Sequence, residues 1–298
     1  MDIDGKGDIL TSLHLNQPIE QNKRPSVCST KQSARFEKTP DTDEICLNVP
    51  KKKNFFHRLG EKIKDAHKKE VQSREIAELN KTCENLIDNL KETQKTFQEV
   101  FLRNDISEEE TLEMIKRYHQ IELVGITGSK DEYANLLFKE VKKNYGLTSL
   151  PNSLELKPGP IGKHQRTLAY TTPIGDVIMR NDLTRKEIFN VIHHELRHVK
   201  QNYYAFNYNP EEFVRLSQPK NMEIPKEIFE IAYDCTPDIT NIEEENLDFA
   251  KKSLESKCSY TAANKNESGY LAQWCEEDAF NAGNKMQRLF YDLSVFKK

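Results

Sequence analysis

Apolar residues recur along the first half of the chain with helical rather than strand spacing. Ile76, Leu79, Cys83, Leu86, Leu90, Thr93, Phe97 and Val100 follow one another in alternating steps of three and four, the signature of a heptad seam. This predicts a helix from about residue 55 to 103 whose apolar stripe packs on another helix, of this chain or of a second copy. Packing within the chain is the better reading, because about three and a half heptads are marginal for an independent coiled coil. Upstream, Phe56, Leu59 and Ile63 share one helical face among Lys51, Lys52, Lys53, Arg58, Lys62, Lys64, Lys68 and Lys69. Residues 51–69 are therefore a candidate contact for an anionic membrane or a partner groove, against the plainer reading of a solvated basic helix.

Further along, helix starts are written in capping residues. Ser107 with Glu110 opens a helix through about His119, and Ser129 opens another that Gly146 stops. Pro151, Pro158, Gly159, Pro160 and Gly162 then mark a turn-rich stretch and a change of architecture. Residues 167–172 and 176–180, flanking Pro173-Ile174-Gly175, predict a β-hairpin. Thr184 and Glu187 form a second capping box, followed by Ile188, Ile192, Leu196 and Val199 on the buried face of a helix.

Composition narrows the class. Of 298 residues, 36% are hydrophobic and 31% charged, so part of the chain lacks the material for a core. Residues 1–50 carry no apolar periodicity and read as disordered, either a floppy terminus or the export signal of a secreted bacterial effector. A net charge of −4 gives no footprint for nucleic acid. The six cysteines contain no C-x-x-C pair, which argues for free thiols in a reducing compartment. With neither a Sec-type leader nor a long apolar run, the sequence points to cytosol, or to non-classical secretion into a host cell.

The capped helix carries the chemistry. His194, Glu195 and His198 stand in the order H-E-x-x-H. On a helix, positions i and i+4 point the same way, so the two imidazoles can hold one zinc ion. Glu195, beside the first histidine, can then reach a water as general base without ligating. A third ligand is needed. Tyr204 and Gln201 occupy the positions where a metzincin would have its third histidine and its glycine, which excludes that pattern and leaves a downstream carboxylate. Residues 267–290 predict a helix on which Glu276, Ala279 and Gly283 share a face. The small residues would let it approach another helix closely while Glu276 projects into the gap.

H-E-L-R-H followed by E-x-x-A on a later helix resembles the gluzincin branch of the zincin metallopeptidases. The resemblance covers about residues 150–295, and it departs from the family at Arg197 and Lys200 and in a long spacer before Glu276. It implies zinc held by His194, His198 and Glu276, Glu195 as base, and Asp278 as a partner of a ligand histidine. Glu277, Glu211, Glu212 and Asp234 are rival third ligands. Tyr270 is the favoured oxyanion donor and Tyr203, Tyr204 and Tyr208 are its rivals, against the plainer reading that these tyrosines are packing or rim residues. The expected fold is α+β: a zincin-like domain at 126–298 with a small twisted sheet and an active-site helix, after a heptad-patterned helical region at 51–125. The expected reaction is hydrolysis of a peptide bond in a protein or peptide substrate, with the edge of the hairpin as a place for an extended peptide to pair. Two alternatives are a binding or scaffold protein with a structural or vestigial zinc site, and a zinc amidohydrolase acting on a small molecule.

Overall fold

The computed structural model describes residues 53–161, 167–218, 223–233, 244–258, 269–270 and 272–292. The segment 1–50, expected to be disordered, lies outside them. The chain divides between Val71 and Gln72 into two compact units. Of the first, the described part is the opening of helix α1 (Lys53–Asp88). In the proposed contact segment 51–69, the side chains of Phe56 and Leu59 fall outside the description, and Ile63 is 61% exposed.

In the second unit, the heptad seam does not run through one helix. α1 ends at Asp88 and α2 spans Leu90–Phe101, with Asn89 between them at φ −107° and ψ 37°. The Thr93 hydroxyl donates to the Leu86 carbonyl at 3.3 Å, the acceptor that the amide of Leu90 would use in a continuous helix. A side chain inserted into the ladder in this way bends or breaks a helix. The later heptad positions Leu86, Thr93, Phe97 and Val100 are buried in this chain's own core.

α3 (Glu108–Thr127) and α4 (Lys130–Asn144) start where the capping residues predicted, with Ser107 and Ser129 accepting from the amides of Glu110 and Glu132. α3 runs two turns past His119, because Ile121 and Ile126 continue its buried face. The turn-rich stretch contains a strand the sequence reading did not anticipate, β1 (Leu154–Lys157). It pairs in parallel with β3 (Val177–Arg180), which pairs antiparallel with β2 (Ala169–Thr171), giving the order β1-β3-β2. Gly175 turns the hairpin at φ +87°, and a Cβ there would stand 2.5 Å from the Asn152 amide. The fold is thus mostly helical with a small three-stranded sheet, compatible with the α+β expectation.

Helix α5 (Arg185–Tyr208) lies at the centre, opened by the complete Thr184–Glu187 capping box. It packs against α4, β2, α6 (Pro210–Ser217), α8 (Glu244–Cys258) and α9 (Trp274–Gln287). Ile188, Ile192, Leu196 and Val199 are at most 1% exposed. α7 (Lys226–Ala232) adds Phe229 to the aromatic packing around Phe206 and Phe213. One hydrophobic core runs from Leu86 to Phe290, so the heptad-patterned region and the segment after residue 126 share it. The C-terminal helix is shorter at its start than expected: Gln273 is extended at φ −73° and ψ 135°, and α9 begins at Trp274. It then passes into a π-helical turn, Arg288–Asp292.

Candidate metal centre

The site is built where α5 and α9 cross. Their approach depends on Gly283, where a Cβ would meet the Asn190 carbonyl at 2.9 Å and its side-chain oxygen at 3.0 Å. Ala279, one turn earlier, is fully buried. This closeness brings Glu276 to the histidines of α5. His194 Nε2 and His198 Nε2 lie 3.1 Å apart, and Glu276 Oε2 lies 3.5 and 3.4 Å from them. Donors arranged tetrahedrally at the usual ~2.0–2.1 Å from zinc would be separated by roughly 3.3 Å. Among the described residues these three form a group that could hold a metal ion.

Electrostatics tie the three together. Burial disfavours a charged imidazole at His198, but the Glu276 carboxylate beside it outweighs this and pushes its pKa up to about 9. Burial would likewise raise the Glu276 carboxyl, and the two histidines hold it well below the usual carboxylate range instead. Desolvation acts alone at His193, the first histidine of the run, and drops its pKa to about 3. That ring is fully buried against Phe101, Tyr118 and Phe189 and is a core residue.

Glu195 is 5% exposed, and its Oε2 accepts a hydrogen bond from the Thr171 hydroxyl at 2.8 Å. Thr171 also lies 3.0 Å from the Glu195 carbonyl, which anchors β2 to α5 at the site. Tyr270 donates to Glu276 Oε2 at 2.5 Å. Its proton thus goes to the carboxylate that would ligate. Tyr204 packs on Phe249 and under the Lys200 ammonium, while Tyr203 and Tyr208 are partly buried against the core.

The departures from the family pattern have structural partners. Arg197, 4% exposed, pairs bidentately with Asp278 at 2.6 Å for both bonds and donates to the Val100 carbonyl. Lys200 donates to the Tyr145 carbonyl, and burial lowers its pKa to about 8. Asp278 therefore does not touch a ligand histidine. The partner of His198 Nδ1 is Gln201 Oε1 at 2.8 Å. Of the rival ligands, Glu277 and Glu211 are exposed and Glu212 pairs with Arg215. Asp234 lies outside the described residues.

Sequence reasoning missed Thr171 and Gln201 as parts of the site. Gln201 had a local signal, one turn beyond His198 on the same helix. Thr171 had none, since its contact exists only once the hairpin docks on α5. Compared with known proteins, the chain has no match among family models, curated proteins or solved structures.

Proposed function

We propose that this protein is a zinc-dependent peptidase with a zincin-like catalytic domain, in which His194, His198 and Glu276 hold the ion and Glu195 is the general base. The observation that carries the reading is the triangle of donors, 3.1 to 3.5 Å on a side, assembled from two helices with Glu195 adjoining it. When bound, zinc supplies a water of lowered pKa and a Lewis acid for a carbonyl oxygen, and three protein donors leave one tetrahedral position for that chemistry.

The chain's own groups do the remaining work. Thr171 bonds one oxygen of the Glu195 carboxylate, leaving the other to take a proton from the attacking water and pass it to the leaving amine. Tyr270 steadies the Glu276 carboxylate. β2 is an edge strand, and its pairing with β3 through residues 168, 170 and 172 turns the backbone groups of Ala169 and Thr171 outward. An extended peptide laid on that edge would run past Glu195.

Purified protein should contain about one equivalent of zinc, and changing both His194 and His198 to Ala should remove it. Zinc-loaded protein incubated with a proteome-derived peptide library should generate new termini detectable by mass spectrometry. Glu195→Ala should keep the metal and lose the cleavage by several orders of magnitude. Cleavage at the wild-type rate by Glu195→Ala, or protein unable to take up zinc, would overturn the reading.

A further inference from the structure

We propose that Gln201 is a positioning residue which, oriented by Arg197 and Asp278, fixes the proton of His198 on Nδ1 and so presents the Nε2 lone pair to a metal ion. This rests on the metal-centre reading and deepens it. One chain of hydrogen bonds runs inward from Arg197 through Asp278 and Gln201 to the His198 ring.

Arg197 is buried and donates through Nε and Nη2 to the two oxygens of Asp278, so both oxygens of that carboxylate act as acceptors. The Gln201 side chain, 4% exposed, is aimed at three groups. Its amide nitrogen lies 2.8 Å from Asp278 Oδ2 and 2.9 Å from the Cys275 carbonyl, and its oxygen lies 2.8 Å from His198 Nδ1. Asp278 and the Cys275 carbonyl are both acceptors only. Turning the amide over would set its oxygen against two acceptors in a buried place, so its orientation is decided by those two groups.

With the oxygen of Gln201 facing the ring, His198 Nδ1 must be the donor. The neutral ring then carries its lone pair on Nε2, the atom that faces His194 Nε2 and Glu276 Oε2. A water at Gln201's place would impose no such choice, because it could either donate to the ring or accept from it. Since Gln201 bridges α5 to α9, the same bonds that set the tautomer also hold the two ligand-bearing helices in register. His194 has no equivalent: its Nδ1 is buried without a partner among the described residues. The relay thus acts on one ligand histidine and not on the other.

Two measurements test this. Metal affinity is read by competing zinc or cobalt against a chromophoric chelator. Gln201→Leu should weaken binding by about 10–100-fold, the usual effect of removing the partner of a ligand imidazole. Asp278→Asn should weaken it less, and should add nothing further in the Gln201→Leu background, because it acts through the amide. Additive effects would overturn the relay. The second readout needs no metal. Long-range proton–nitrogen correlation on histidine-labelled, metal-free protein, above the pH at which His198 loses its second proton, should show the Nδ1–H form in the wild type. A mixture should appear in Gln201→Leu. An Nε2–H form in the wild type would overturn the proposal without any variant having to fold. If instead the tautomer is as expected and no metal binds, the metal-centre reading fails while the hydrogen-bond relay stands.

Discussion

Thr171 and Glu195 meet across the junction of sheet and helix, the hydroxyl 2.8 Å from the carboxylate oxygen and 3.0 Å from the backbone carbonyl of the same residue. One small side chain on an edge strand thereby fixes the direction of the proposed base. Thr171→Val keeps the shape and removes the donor, leaving a buried carboxylate oxygen unpaired. Peptide cleavage should fall about 10-fold or more in kcat, with metal content unchanged, since orientation and not binding is lost. Thr171→Ser should recover most of the rate. Equal rates for the wild type and Thr171→Val would mean that Glu195 needs no such partner.

Arg197 offers a test of stability rather than chemistry. Its guanidinium is buried against Asp278, the Val100 carbonyl and the Phe249 ring. Arg197→Ala would leave the Asp278 carboxylate half-buried with only Gln201 as donor, and breaking such a pair typically costs about 3–5 kcal/mol. Denaturant unfolding of the metal-free protein should show a loss of that order. A loss below about 1 kcal/mol would place the pair among ordinary surface ion pairs.

How much of this was legible in the sequence differs by kind of signal. Signals carried by neighbours along one helix were legible: the H-E-x-x-H spacing, the Thr184–Glu187 box and the small residues Ala279 and Gly283 all stand where helical periodicity put them. Signals that depend on a second element were not. The break at Asn89 follows from the Thr93 hydroxyl reaching back to Leu86, which a heptad pattern does not encode. β1 alternates apolar and charged residues over only four positions, too short a run to read as a strand until β3 offers it a parallel edge. Arg197 and Lys200 look out of place on a buried helix until Asp278 and the Tyr145 carbonyl are brought to them by the fold.

Gly283 makes the helix crossing measurable. Adding a Cβ would drive it to 2.9 Å from the Asn190 carbonyl, a backbone atom that cannot step aside alone. Gly283→Ala should therefore push α9 from α5 and lower stability by about 1–3 kcal/mol, the usual cost of overpacking. It should also weaken zinc binding, because Glu276 rides on the displaced helix. A variant as stable as the wild type, with the same zinc affinity, would show that this crossing is loosely packed.

Protonation of the site gives a pH dependence with a definite sign. The His198 pKa is raised to about 9, so in metal-free protein its contribution to stability is full below about pH 6.5 and lost as pH rises through 9. Glu276 is shifted downward, so its contribution is present above about pH 4.5 and lost as pH falls through its lowered value. Both act fully only between those limits. A metal ion must displace the second proton of His198 to reach Nε2. Its affinity should then rise roughly tenfold per pH unit from pH 7 to about 9 and level off above, as read by chelator competition. A flat profile over that range would show that His198 is already neutral in the metal-free protein.

The third ligand is the part of the site that the sequence placed with most rivals and that can be separated from them most cleanly. Glu276 Oε2 faces both imidazoles, whereas Glu277 is exposed. The two positions differ by ~100° around the helix. Glu276→Ala should lower zinc affinity at least ~10-fold, since a direct ligand matters no less than the groups that support one. Glu277→Ala should change it little. Glu276→Gln is the sharper probe. It keeps the volume and an oxygen acceptor for Tyr270 but removes the charge that holds His198 protonated, so it separates ligation from packing. In metal-free protein it should bring the His198 pKa back down towards or below its ordinary value, because burial would then act with less opposition. The same variant should thus show weaker zinc binding together with an easier deprotonation of His198. If Glu277→Ala strips the metal while Glu276→Ala does not, the ligand register on α9 is shifted by one residue. If neither does, the donor is another carboxylate, and the triangle at the α5–α9 crossing is an ion pair of the metal-free fold.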